Sequence, residues 1–314
     1  MNRRDFIRNS VIAGCICAAG MGTRHLLVNK DNNIREGLEF DKKFDGLDIL
    51  NNIDIHVVEH CNLNCKYCCH MSSIADEEYV DVQQFEKDIN QLAKVSEQRI
   101  RNIYLMGGEP LLHPRLEELC KITRAAFPLS IIEIYTNRIL LPSMPDSFWK
   151  TLHDYNINIM QSIYPIKIKN ADEIYKKGKK FGVLIKPSYQ ESKHPIEEFF
   201  VTDYVLAGNV DIKSRFEGCT TCLKAEWSAG QLYKGRLYQC QKQQGVQHFN
   251  KKFNKHIPLT DEDTLDIYKI KNYDDIMKYK YSSTKFCRFC GFGGVQKPWE
   301  QSNEHDIHEF SYDA

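Results

Sequence analysis

The chain has 314 residues, 42% of them hydrophobic, and carries 42 basic and 42 acidic side chains. This length allows one large α/β domain with a smaller appendage, and the apolar content excludes a wholly disordered chain. A formal net charge of zero argues against a nucleic-acid partner, which normally needs a basic excess. Twelve cysteines fall in tight groups, which favours metal or cluster ligation over a secreted disulfide scaffold.

Residues 1–22 resemble a twin-arginine export signal. Arg3 and Arg4 form the pair, Phe6 stands at the expected place, and residues 10–22 are uncharged. The uncharged stretch is too short to span a bilayer comfortably. A short helix with a chance arginine pair is the alternative, and the sequence leaves both open.

After a polar linker over residues 23–50, strand patterns alternate with amphipathic helix patterns. Strands are predicted over 53–58, 100–106, 131–135, 157–163 and 183–187, with 199–206 as a candidate sixth. Helices are predicted over 82–92 behind the N-cap Asp81, and over 115–126, 146–155 and 171–181. Repeated βα units predict a parallel sheet with its chemistry at the carboxyl ends of the strands. From about residue 210 short, aromatic, cysteine-bearing segments predict a second small domain.

Cys61, Cys65 and Cys68 form a CxxxCxxC loop directly after the first strand. A closed 4Fe–4S site uses four cysteines, so three thiolates on one loop can hold a cubane and leave one iron open. Tyr67 places an aromatic ring where it could shield such a cluster. A zinc loop is the alternative, and Cys69 is expected to be a spare thiol.

The spacing of this loop, its aromatic residue and its position after strand one resemble the signature of the radical S-adenosylmethionine (SAM) superfamily. The resemblance implies an α/β fold, a partial (β/α)6 TIM-like barrel over residues 51–210. It also implies that the open iron of a 4Fe–4S cluster chelates the methionine part of SAM.

Motifs at the other strand ends carry the same resemblance. Gly107, Gly108 and Glu109 end strand two, where relatives contact the SAM amino group; glycine lets backbone approach closely. Further SAM contacts are expected at Thr136, Asn137 and Ser162, with Ser188 as a weaker candidate for the ribose. Relatives often have glycine where this chain has Arg138, so we expect any left-handed residue at Asn137 instead.

Cys222, Cys240, Cys287 and Cys290 resemble the twitch module, the shortened relative of the SPASM domain. The resemblance implies a second, auxiliary 4Fe–4S cluster within residues 211–300, followed by a polar tail over 301–314. Cys219 competes with Cys222 as the first ligand. A structural zinc site on the 219/222 and 287/290 pairs is the alternative.

The resemblance implies reductive cleavage of SAM to a 5′-deoxyadenosyl radical, which removes a hydrogen atom from a small-molecule substrate. The electron would come from a donor such as flavodoxin or ferredoxin. A single auxiliary cluster resembles the dehydrogenase of aminocyclitol biosynthesis, so oxidation of a sugar or cyclitol alcohol is the first expectation. The alternatives are a maturase that modifies a peptide or protein, and a non-catalytic iron–sulfur or zinc-binding protein. Because SAM and electrons are supplied in the cytoplasm, we expect a cytoplasmic protein; export or membrane association through the N-terminus is the alternative.

Overall fold

The structure, a computed structural model, describes residues 35–188, 195–201, 203–219, 222–224, 230–291 and 295–312. The export-like residues 1–22 lie outside these ranges. Within them, no helix combines the length and the apolar character needed to cross a membrane.

Strands and helices alternate along the first half of the chain. The strands are β1 (Leu50–Val58), β2 (Ile100–Gly107), β3 (Ile131–Thr136), β4 (Ile157–Gln161), β5 (Ile185–Pro187), β6 (Glu198–Phe200), β7 (Gly230–Tyr233), β8 (Arg236–Tyr238), β9 (Leu265–Asp266) and β10 (Gln296–Pro298). The helices are α1 (Val82–Val95), α2 (Leu116–Ala126), α3 (Asp146–Asp154), α4 (Asp172–Phe181), α5 (Ile212–Glu217), α6 (Gln241–Phe253) and α7 (Tyr273–Lys280).

The main sheet has the strand order β5-β4-β3-β2-β1-β7-β8-β9. Strands β1 to β5 are parallel, and each pairs with the next along the chain. The predicted parallel α/β sheet is therefore confirmed. Since parallel strands share a direction, the motifs that follow β1, β2, β3 and β4 meet at one edge.

The first helix illustrates why the sequence folds this way. The Asp81 side chain accepts a hydrogen bond from the amide of Gln84 and caps α1, as predicted. Phe85, Ile89 and Leu92 fall on one face of the helix at 3.6-residue spacing and are buried. This apolar face packs in the same core as the outward face of the parallel strands.

The prediction that segment 199–206 supplies the sixth strand of the barrel is wrong. β6 lies partly inside the candidate segment 199–206, but it pairs antiparallel with β10 and not with β5. The sixth parallel strand is β7, which lies on the other side of β1. Periodicity identifies a strand but does not identify its partner, so the sequence could not reveal this arrangement.

β7 and β8 form a hairpin that leads to Cys240. Lys234 and Gly235 both have positive φ angles, 46° and 72°, as a two-residue type I′ turn requires. Because β7 also pairs with β1, the region predicted as a second domain extends the sheet of the first.

Parts of the predicted linker and tail belong to the folded core. Residues 35–43 are helical, Phe40 is buried, and the Arg101 guanidinium donates to Asp41 at 3.0 Å. Phe310, in the predicted polar tail, packs in a second hydrophobic cluster that contains Met71 of the cysteine loop. The second half of segment 23–50 and this part of segment 301–314 are therefore not free linker or tail.

At the amino end of the sheet, the Arg124 side chain joins several chain segments. Its guanidinium pairs with Glu36 at 3.5 Å and donates hydrogen bonds to the backbone carbonyls of Phe127, Pro128, Ser130, Tyr155 and Asn156. These carbonyls belong to the connections that lead into β3 and β4. A planar guanidinium can serve several acceptors at once, whereas an ammonium is a compact point donor.

We predict that Arg124→Lys lowers the free energy of unfolding by about 2–3 kcal/mol, because part-buried carbonyls lose their donor. Urea denaturation measures the effect. Arg115→Lys is the matched control, since the Arg115 side chain is more than half exposed and forms a surface ion pair with its neighbour Glu118. Equal stability of the two variants would show that Arg124 does not hold these connections.

Candidate active site

The cysteine loop leaves β1 at the carboxyl edge of the sheet. Within it Asn64 and Tyr67 have φ angles of 50° and 58°, a left-handed conformation that is uncommon outside glycine. Strained residues of this kind tend to occur at functional sites. Tyr67, predicted to shield a cluster, is half-buried.

Each of the three predicted ligand thiols accepts at least one hydrogen bond. The Asn137 amide lies 3.5 Å from the Sγ atom of Cys61, and the Trp299 indole nitrogen lies 3.2 Å from that of Cys65. Backbone amides that follow Cys68 hydrogen-bond to its sulfur. Donors at sulfur stabilise a thiolate, the form that binds metal.

The raised pKa values of the loop thiols indicate that a positive charge is needed to make them thiolates. Burial raises the pKa of all three thiols. The charge of Glu109 adds to the effect at Cys61, whose pKa rises to about 12. A bound metal cation reverses this preference and deprotonates a ligating thiol. The loop therefore fits a cationic iron centre.

Single-ion sites and cluster sites differ in the spacing of their thiolate ligands. Among the described residues, no group of three His, Cys, Asp or Glu side chains is placed to hold one ion. Thiolates around one zinc would stand about 3.8 Å apart, given Zn–S bonds of about 2.3 Å. Each cysteine of a cubane binds a different iron, so its ligands are spaced more widely.

Gly107 and Gly108 bring β2 unusually close to the start of the cysteine loop. The Gly108 amide donates to the Val58 carbonyl at 2.8 Å, and the Glu109 amide donates to the His60 carbonyl at 3.0 Å. Gly107 has a φ of +126°, and a Cβ at either glycine would overlap a backbone carbonyl of this segment. Both positions therefore require glycine, as expected for a close backbone approach.

Glu109 is fully buried at the centre of the site. Its carboxylate accepts hydrogen bonds from Thr136 Oγ1 at 2.7 Å, from the Asn137 amide at 2.8 Å and from the Leu111 amide at 3.1 Å. None of these donors is charged, and burial raises the pKa of Glu109 to about 7. An ammonium group beside this carboxylate would supply the missing positive charge.

The left-handed residue after β3 is Arg138, with a φ of 62°, so the expectation that Asn137 takes this conformation is wrong. Two side chains hold the turn. Thr136 Oγ1 accepts from the Arg138 amide at 2.9 Å, and Asn137 Oδ1 accepts from the Ile139 amide at 3.0 Å. These bonds offset the strain that a non-glycine residue carries there.

Ser162 and Ser188, the two candidates for a ribose contact, lie together. Their hydroxyl oxygens are 3.3 Å apart, and the Ser162 amide donates to the Thr136 carbonyl at 2.8 Å. The structure thus brings the predicted residues after β3, β4 and β5 to one edge, beside the cysteine loop.

A polar inner face of the sheet was missed at the sequence level. Asp54, Tyr104, Glu133 and Asn158 stand in register on β1, β2, β3 and β4, so their side chains share one face. Lys186 on β5 forms an ion pair with Glu133 at 2.5 Å. Strands of a covered parallel sheet are normally apolar on both faces. The alternation of polar residues with isoleucine and valine in β1 was the signal that could have revealed this surface.

The inner face continues into a buried network at the end of β1. The Glu59 carboxylate accepts from His56 Nδ1 at 2.9 Å, from Gln244 Nε2 at 2.5 Å and from His248 Nε2 at 2.7 Å. His56 Nε2 faces the Gln231 side-chain oxygen at 2.6 Å, so both ring nitrogens lie beside oxygen acceptors. Although burial opposes the charge, Glu59 raises the pKa of His56. The network connects the cysteine loop to α6.

Five cysteines converge in the C-terminal region. Burial and the nearby Cys290 raise the pKa of Cys240 to about 12, with smaller effects of Cys219 and Cys287. A hydrogen bond with Cys219 raises the pKa of Cys222 further. The thiols predicted as auxiliary ligands are therefore neighbours, and so is Cys219, which competes with Cys222.

The α/β sheet and the cysteine loop at its carboxyl edge define a class of cluster-bearing enzyme, and comparison with known proteins identifies it. Residues 55–183 match the model of the radical SAM superfamily. Over these residues the chain carries a radical SAM domain, and that family implies a 4Fe–4S cluster and SAM.

Curated relatives match only part of the chain. The GTP 3′,8-cyclase of Chlorobaculum tepidum is 36% identical over 95 residues, which cover 30% of this chain and 28% of the relative. The GTP 3′,8-cyclase of Clostridium botulinum is 28% identical over 111 residues, 35% of each protein. The chain thus spans about a third of the length of these relatives.

Comparison with solved structures gives matches at low identity, with TM-scores below 0.5. The crystal structure of BtrN in complex with AdoMet and 2-DOIA is 15% identical, covers 77% of this chain and 93% of that one, and has a TM-score of 0.48. Streptococcus suis SuiB bound to S-adenosylmethionine is 14% identical, covers 62% and 46%, and has a TM-score of 0.35.

We predict that Gly108→Ala lowers the free energy of unfolding by at least about 3 kcal/mol, because the new Cβ collides with the His60 carbonyl. Gly37→Ala is the matched control. A Cβ there meets only ordinary contacts at 3.8 and 3.9 Å, and alanine favours a helix by about 0.5–1 kcal/mol. Chemical denaturation compares the two; an unaffected Gly108→Ala protein would rule out the close approach of β2.

Asp54 makes the stability depend on pH. Burial raises its pKa from 3.8 to about 6, so its contribution is present below the unfolded pKa and is lost as the pH rises through the folded one. We predict that Asp54→Asn stabilises the protein at pH 7 by up to about 3 kcal/mol and changes little at pH 4. Urea midpoints across this range measure it, and a constant difference would contradict the assignment.

Proposed function

We propose that this protein is a radical SAM enzyme that removes a hydrogen atom from a polar small molecule bound against the inner face of its sheet. The favoured reaction is oxidation of a secondary alcohol on a sugar or cyclitol. The observation that carries the proposal is the polar row of Asp54, Tyr104, Glu133 and Asn158, which lies below the edge occupied by the cysteine loop.

The polar row suits a substrate rich in hydroxyl groups. It presents two carboxylates, a phenol and an amide on adjacent strands, with Lys186 beside Glu133. Such a surface offers both donors and acceptors. These groups already have partners within the protein, such as Gln231, which donates to Asp54 at 2.5 Å. Because carboxylate and phenol oxygens accept more than one hydrogen bond, a substrate with several hydroxyls can add to these contacts, whereas an apolar ligand cannot.

The residues that would hold the cluster and SAM lie at the carboxyl edge of the sheet. Cys61, Cys65 and Cys68 would ligate the 4Fe–4S cluster, and the Glu109 carboxylate would accept the ammonium group of SAM. Once bound, cluster and SAM supply the 5′-deoxyadenosyl radical that abstracts hydrogen. The residues of the chain orient the substrate and exclude water.

Alcohol oxidation also requires an acceptor for a second electron. Converting a secondary alcohol to a ketone removes two electrons and two protons; one of each leaves as the hydrogen atom. The remaining proton needs a base, and the remaining electron needs an acceptor. An auxiliary 4Fe–4S cluster on Cys240, Cys287, Cys290 and either Cys222 or Cys219 would serve. A reductant such as flavodoxin or ferredoxin would supply the electron that starts each cycle.

The test is the iron, acid-labile sulfide and zinc content after anaerobic reconstitution. The wild type should hold about eight irons, and a Cys61→Ala/Cys65→Ala/Cys68→Ala variant about four. That result would support one cluster at each site.

Two outcomes would contradict the proposal in different ways. About four irons falling to none, with zinc retained, would leave the SAM site but remove the acceptor that alcohol oxidation needs. An unchanged iron content in the triple variant would exclude the first loop as a cluster site.

A further inference from the structure

The segment of residues 299–303, far along the chain from the cysteine loop, forms one wall of it. Cys65 and Gln301 form an antiparallel bridge. The Lys66 amide donates to the Glu300 carbonyl at 2.9 Å, and the Ser302 amide donates to the Asn64 carbonyl at 3.0 Å. Segment 299–303 therefore pairs with the loop through one antiparallel bridge and the backbone hydrogen bonds beside it.

Side chains strengthen this pairing. Gln301 Nε2 donates to the Leu63 carbonyl at 2.8 Å, and Lys66 Nζ pairs with the Glu300 carboxylate at 2.7 Å. The Trp299 amide donates to the Glu197 carbonyl at 2.7 Å. The backbone of Trp299 is therefore held by Glu197 and by the pairing of the residues that follow it, so its indole has a defined direction.

The indole is aimed at a predicted cluster ligand. Trp299 Nε1–H donates to the Sγ atom of Cys65 at 3.2 Å, and Cys65 is buried. The Trp299 ring also stacks on Tyr164, with centroids 5.5 Å apart and planes 25° apart. Tyr164 stands two residues after Ser162, so the indole lies between the cysteine loop and the residues that follow β4.

We propose that Trp299 is a positioning residue that raises the reduction potential of the first cluster through its hydrogen bond to Cys65. This inference rests on the proposed function, because it requires the cluster. A reduced cluster carries one more negative charge than the oxidised form, so a donor at a ligating sulfur stabilises the reduced form more. Hydrogen bonds to sulfur and solvent exposure are among the factors that set cluster potentials, and the bond is stronger in a poorly solvated site.

The experiment is an EPR-monitored redox titration of the reconstituted full chain, following the cluster signal that changes when SAM is added. Trp299→Phe keeps an aromatic ring for Tyr164 but lacks the N–H donor. We expect full iron content and a reduced-to-oxidised ratio about three- to tenfold lower at a fixed potential. Tenfold corresponds to about 59 mV for a one-electron couple.

Ser302→Ala is the matched control, since it changes a neutral side chain of the same segment, whose hydroxyl donates to the Glu304 carbonyl and not to sulfur. Its titration should match the wild type. An unchanged potential in Trp299→Phe with full iron content would overturn the inference and leave the proposed function intact. An equal shift in Ser302→Ala would also overturn it, because the effect would then come from the segment as a whole.

A second measurement uses the wild-type protein and so does not depend on the folding of a variant. Wild-type protein labelled with ¹⁵N-tryptophan should show an indole nitrogen hyperfine coupling to the reduced first cluster in pulsed EPR. Absence of that coupling with the cluster present would overturn the inference. A wild-type protein without any first cluster would overturn the inference and the proposed function together.

Discussion

The site depends on the close approach between the end of β1 and the glycines that end β2. The Gly108 and Glu109 amides bond to carbonyls of the segment that leads into the cysteine loop, and neither glycine has room for a Cβ. This contact sets Glu109 beside the loop. It explains how a buried carboxylate with a raised pKa comes to face predicted cluster ligands, where a cationic ligand would satisfy it.

Two regions separated along the chain complete the site. β7 lies beside β1 and joins the C-terminal region to the same sheet, and the Glu59 network connects the segment before the loop to α6. Segment 299–303 closes another side of the loop. A buried carboxylate with three donors gives strong geometric definition, because removing any partner leaves a buried polar group unsatisfied. The cysteine loop is thus joined to the C-terminal region by direct contacts.

Local patterns predicted much of this architecture. The five parallel strands, the cap at Asp81 and the glycine motif follow from periodicity and from residues with special backbone freedom. The pairing of β7 with β1 and the contact of Trp299 with Cys65 join residues far apart along the chain, and nothing local encodes them. Arg138 was predicted wrongly because side chains of its two neighbours stabilise a turn that propensity alone disfavours. The alternation of polar residues in β1 is visible in the sequence, but only the register of the sheet shows that it continues across the neighbouring strands as one polar face.

The central claim is that the cysteine loop and Glu109 together form a site that cleaves SAM. Its most direct test is the formation of 5′-deoxyadenosine from SAM by the fully reconstituted protein under reducing, anaerobic conditions. We expect 5′-deoxyadenosine from the wild type, and none from a protein that lacks the three loop cysteines. If the wild type carried a complete first cluster and still formed no 5′-deoxyadenosine, the enzymatic account would be contradicted, and a non-catalytic iron–sulfur protein would remain.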